Sequence, residues 1–137
     1  MTIADLIAEL GPHAGRGAVV EAVEALRRRS LVERPQTIRA AAFTLQSVVL
    51  EYVTDRLVEE VCDEIARGQA LRLVEQPLIK AQAKDYVRQT QERLIGAPVL
   101  RQLKAEHGDD GAEQMLLALL ESWRNRPHAE QGYGPGN

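Results

Sequence analysis

The residues of this chain that could act as bases, metal ligands or nucleophiles are three histidines, one cysteine and a few serines. His13, His107 and His128 each stand alone, with neither a carboxylate nor a second histidine four residues on, so they are expected to be exposed turn residues rather than zinc ligands or proton carriers. Cys62 is unique and can form no internal disulfide; a reducing cytoplasm is the expected setting. The glycine-rich run GPHAGRG, residues 11–17, lacks the Lys-Ser/Thr pair of a phosphate-binding loop and follows no strand-like segment. Ser30, Ser47 and Ser122 lack the flanking glycines of a nucleophile elbow. The residue types of catalysis are present without their spacing. The chain is therefore expected to catalyse no reaction and to need no cofactor or metal.

Charge leaves three patterns that could bind something. Arg27, Arg28 and Arg29 close an amphipathic segment, where they suit either phosphate contacts or the negative end of a helix dipole. The second reading is favoured, because Glu21 and Glu24 on the same segment would repel a nucleic-acid backbone. Glu51, Asp55, Glu59 and Asp63 recur every four residues, a like-charge row that costs a few tenths of a kcal/mol per pair on an isolated helix. Lys80, Lys84 and Arg88 form a basic row of the same spacing, and the two rows could face each other or be separately solvated. A net charge of −3 supplies no general attraction to nucleic acid or anionic membrane.

The elements that must carry these residues follow from periodicity. With 45% apolar and 27% charged residues, the 137-residue chain has the composition of a folded protein, and no apolar run approaches the ~18 residues of a membrane span. Ile3, Leu6, Ile7 and Leu10 predict a first helix capped by Thr2, and Val19, Val20, Val23 and Leu26 a second. SLVER and AAAFTL, around Pro35, predict a hairpin. A long helix opens at Gln46-Ser47, with Ser47 as its N-cap and Leu50, Val53, Leu57, Val61 and Ile65 facing inward as far as Gly68. Pro77 suits the first turn of a further helix with Ile79, Ala83, Tyr86, Val87, Thr90 and Leu94 inward, broken at Gly96-Ala97-Pro98. A short helix from Val99 to His107, stopped by Gly108, and a last one through Trp123 complete the pattern, with Asp110 and Glu113 spaced as a capping box. The result is a mostly α fold with one small β-hairpin: a winged-helix-like domain over 1–68, a helical module over 69–126 on which it packs, and an irregular Gly/Pro-rich tail or linker over 127–137.

The stretch FTLQSVVLEYVTDRLVEEVCDEI, Phe43 to Ile65, with LRRRSLVE before it and PLIKAQAKDYVRQTQERLI after it, resembles a region of bacterial NB-ARC/STAND signalling ATPases. That region lies just after the nucleotide-binding domain, above all in members that continue into WD-type or pentapeptide repeats. The resemblance extends over nearly the whole chain, and the tail QGYGPGN is similar to the family's linker. It implies a fragment, or a module supplied in trans to an ATPase core.

In that family a Met-His-Asp-type motif on the winged helix senses bound nucleotide. By position the resemblance puts it at Leu45-Gln46-Ser47, with Gln46 in place of the histidine and Ser47 in place of the acid. An amide can donate to a phosphate but carries no titrating charge, so a nucleotide role for Gln46 and Ser47 requires a partner ATPase. The function implied is a non-catalytic regulatory module coupling a nucleotide-binding core to downstream repeats; the alternative is a DNA-binding winged-helix regulator, and a fragment without function is a third reading. Protein partners are expected, an NTPase core or repeat domain, together with a homodimer through an apolar patch at Leu116, Leu120 and Trp123 on the last helix. Nucleic acid and membrane are not expected partners.

Overall fold

Thr2 and Asp5 start the first helix by capping each other: the Thr2 backbone N–H donates to Asp5 Oδ2 at 2.8 Å and the Asp5 N–H donates to Thr2 Oγ1 at 3.1 Å. This reciprocal pair opens α1, Ile3–Leu10, in the computed structural model of the chain, which describes residues 1–10, 14–33, 42–80 and 83–137. Helix α2, Arg16–Arg28, begins inside the glycine-rich run 11–17 and buries Val19 and Val23. It ends in two tightening bonds, Ser30 N–H to the Arg27 carbonyl and Leu31 N–H to the Leu26 carbonyl, each 3.0 Å, with Ser30 in the left-handed region at φ 57°. Strands β1, Val32–Glu33, and β2, Thr44–Leu45, pair antiparallel with Val32 opposite Leu45. An isolated antiparallel bridge pairs Thr2 with Ala42, two residues before β2. The expected turn around Pro35 lies outside the described residues.

Helix α3, Ser47–Ala66, is the long helix of the sequence pattern, and Gly68 stops it as expected. Gln69 N–H reaches back to the Glu64 carbonyl and Gly68 N–H to Ile65, with Gly68 at φ 68°. Ser47 is the first helical residue rather than the cap. Gln46 holds the cap position, its carbonyl accepting the Leu50 N–H at 2.8 Å. The mostly α architecture with one two-stranded hairpin is as the sequence indicates. The chain divides into two compact units, Met1–Val53 and Thr54–Asn137, inside α3 rather than at Gly68. The physical reason is in the burial: Val58, Val61, Cys62 and Ile65 are core residues of the second unit, whereas Leu50 and Val53, earlier in the stripe, are about half exposed.

In the second unit α4, Leu71–Glu75, is followed by residues 76–80, which are not helical although a helix is expected from Pro77; helix α5 starts only at Asp85 and ends at Gln91. The backbone N–H of Ile79 donates to Asn137 Oδ1 and that of Lys80 to Gln91 Oε1, both at 3.0 Å, so side chains of the tail and of α5 satisfy these two donors. Tyr86, expected inward, is exposed. A π-helical turn, Glu92–Gly96, then carries the chain into α6, Ala97–Arg124, where the break at Gly96-Ala97-Pro98 was expected. Gly96 keeps helical angles, φ −60° and ψ −49°, so the chain stays helical through the expected break, with Pro98 directly after the π turn. Gly108, at φ 74° and ψ 170°, divides α6 where the sequence places the stop.

The tail is not irregular. Helix α7, His128–Gln131, and a 3-10 turn, Gly134–Gly136, fold back onto the unit. Tyr133 N–H donates to the Val74 carbonyl at 2.9 Å, and the Asn137 amide donates to the Leu73 and Gln76 carbonyls at 2.7 and 2.8 Å. Gly134 lies against the Trp123 indole so closely that a Cβ there would come within 2.9 Å of Cδ2.

Candidate functional site

Gln46 is half-buried in the first unit, its backbone N–H donating to the Leu31 carbonyl at 3.2 Å, and Ser47 beside it is exposed. The hairpin register and the start of α3 fix this corner. Arg27, Arg28 and Arg29 are all exposed at the end of α2. Arg27 is tied to Glu24 at 2.9 Å, one turn back on the same helix, so part of the cluster's charge is compensated locally.

In the second unit Glu59 and Asp63 of the acidic row and Arg88 of the basic row find partners close by in sequence. Glu59 pairs with Arg56 at 3.1 Å and Asp63 with Arg67 at 3.2 Å, both along α3. Arg72 of α4 bridges Glu60 and Glu64. Arg88 lies between Asp85 and Glu92 at 3.9 and 3.7 Å, and Lys84 is exposed just before α5. Exposed pairs of this kind contribute about 0–1 kcal/mol each. They offset part of the like-charge spacing, at Glu59 and Asp63.

Of the apolar residues expected to form a surface patch, Trp123 is buried and Leu116 and Leu120 are half-buried against the core. The patch is covered because the tail returns to it, with Gly134 on the indole. Leu117, on the other side of the helix, is exposed.

Two features had little signal in the sequence. Cys62 lies in the core, its thiol pointing to the Val99 carbonyl at 3.6 Å. Burial pushes that thiol up to about 11, and the Glu106 and Asp63 charges add to the effect. The second feature is a cavity of about 250 Å³ within the second unit, walled by residues of α3, the π turn, both halves of α6 and the tail. Among the described residues lining it, only Asn137 and Trp123 have polar side-chain atoms. A Gly/Pro-rich tail could have hinted at a close backbone approach, but only the fold shows to what. Among the described residues no group of His, Cys, Asp and Glu could hold a metal ion, and no helix is long and apolar enough to cross a membrane.

These features define a mostly helical protein with a small hairpin, a locally paired surface and an apolar pocket. The whole chain matches a segment of an uncharacterised WD repeat-containing protein of Nostoc sp., with 32% identity over 171 aligned positions. The chain spans 13% of that relative's length. No family model and no solved structure matches it.

Proposed function

We propose that this chain is a non-catalytic regulatory and interaction module of a STAND-type signalling protein, coupling a nucleotide-binding core to downstream repeats. The observation that carries the reading is the match along the full chain to part of a much longer WD repeat-containing protein. The order of elements supports it: two helices, a hairpin and a long helix follow one another in the order of a winged helix, and an isolated bridge ties Thr2 to Ala42. Gln46 stands at the cap of α3 immediately after β2, where the family's nucleotide-sensing motif lies, and its amide would act only on a phosphate presented by a partner.

A DNA-binding winged helix is the competing reading. The ion pair from Arg27 to Glu24, with Glu21 exposed nearby, weighs against a phosphate-binding helix, since carboxylates there repel the backbone. Protein partners therefore take precedence over nucleic acid. Calorimetry with ATP-Mg and ADP-Mg, and duplex retardation across a salt series, test the reading together. The isolated chain is expected to bind neither nucleotide and to bind duplex only weakly, without sequence preference, at ~150 mM salt. Micromolar nucleotide binding, or a footprint on one defined sequence, would overturn it.

A further inference from the structure

The cavity of the second unit has walls that are almost entirely apolar. It measures about 250 Å³ and is partly open to solvent, so it has an entrance. Ile65, Leu103 and Leu119 are buried residues at its wall. The Asn137 amide, the polar group best placed to meet a guest, is already spent: both its donors go to the Leu73 and Gln76 carbonyls, and its oxygen accepts the Ile79 N–H. Ordered water needs two to four polar partners, and a charged guest needs a counter-charge. Besides Asn137, only the Trp123 indole among the lining side chains carries a polar atom, and none of them is charged.

A second observation concerns the backbone. The π-helical turn Glu92–Gly96 places Ile95 and Gly96 at the cavity wall, and a Cβ on Gly96 would come within 3.3 Å of the Ile79 side chain. Single π turns interrupt helices at a cost in backbone regularity and occur frequently at functional sites. Here the wider turn sets the wall on one side of the space. Apolar cavities between packed helices are common small-molecule sites.

We propose that the second unit binds a small uncharged apolar molecule in this cavity. An apolar cavity of about 150 Å³ accepts benzene, so this one suits a guest of about ten non-hydrogen atoms, the size of a bicyclic aromatic. Dispersion contacts with the aliphatic walls and the displacement of poorly held water drive binding, and the same walls reject an anion. This inference does not depend on the coupling role proposed above.

Naphthalene and naphthalene-1-carboxylate, titrated into the full chain and followed by amide and methyl NMR, form the test. Naphthalene is expected to shift the Leu103 and Leu119 resonances and to raise the melting temperature, whereas the carboxylate does neither. Leu100→Phe, which fills the cavity from its rim, is expected to weaken naphthalene binding at least tenfold, by analogy with the steep cost of overfilling a packed site. If that variant fails to fold, crystals of the unaltered chain under xenon decide, with xenon in the cavity supporting the proposal and an empty cavity overturning it. The proposal also fails if naphthalene leaves the resonances unmoved up to its solubility limit, if the carboxylate binds equally well, or if light scattering shows a second copy covering the cavity.

Discussion

Replacing Gly132 by alanine should release the tail from the second unit. Gly132 has φ 53° and ψ −133°, a region of backbone space that side-chain-bearing residues essentially do not occupy, and an added Cβ would overlap the Val74 carbonyl oxygen. That same oxygen accepts the Tyr133 N–H at 2.9 Å, so relief of the clash breaks the bond. Backbone strain of about 1–3 kcal/mol and a lost hydrogen bond of about 1 kcal/mol give an expected loss of about 2–4 kcal/mol. For a unit of this size each kcal/mol corresponds to roughly 4–8 °C, so the melting temperature should fall by about 8 °C or more. Trp123 is the chain's single tryptophan and Gly134 covers its ring, so intrinsic fluorescence reports undocking directly. Gly132→Ala should red-shift the emission and admit acrylamide. Gly136→Ala, whose Cβ would meet nothing within 4 Å, is the control and should do neither. Unchanged quenching and melting in Gly132→Ala would refute the docked tail.

Three further outcomes follow from the same packing. Cys62, its thiol pushed up to about 11, should be inert to thiol reagents at neutral pH and react only as fast as the second unit opens, which labelling in a urea series measures. Leu103, fully buried, should cost about 2–5 kcal/mol when cut to alanine, read as a lower urea midpoint with little change in slope. The Asp5 carboxyl is held below its ordinary range by the Thr2 N–H and then by the Thr2 hydroxyl. Because the folded value is depressed, the support it gives α1 is complete above the ordinary carboxylate value of about 3.9 and fades as pH falls through the folded one. Asp5→Asn should therefore remove part of the acid sensitivity of the α1 amide resonances, and an unchanged acid profile would count against the cap.

The first unit was legible in the sequence to the extent that its elements are local. Val19 and Val23 share a helical face, Thr2 caps three residues before Asp5, and β-branched residues flank the hairpin. The long helix was equally clear up to Gly68, but its inward stripe was not: α3 continues past the boundary of the units, so the periodicity at Leu50 and Val53 marks no burial. The start of α5 and the tail were misread because distant groups decide them. Asn137 and Gln91 take the N–H groups of Ile79 and Lys80, and no local propensity records that. The same tail closes over Trp123, which removes the expected Leu116–Leu120–Trp123 patch from the surface. The cavity had no sequence signal, since Leu, Ile and Val at its wall have the same periodicity as a filled core. Of the candidate site residues, Gln46 was placed by resemblance rather than by chemistry.

The coupling role is tested most directly by calorimetric titration of this chain into a separately purified nucleotide-binding core of the STAND signalling class, loaded first with ADP-Mg and then with a non-hydrolysable ATP analogue. The chain is expected to bind the core with an affinity that differs between the two nucleotide states, and Gln46→Ala is expected to narrow the difference. No binding in either state, or equal affinity in both, would contradict it.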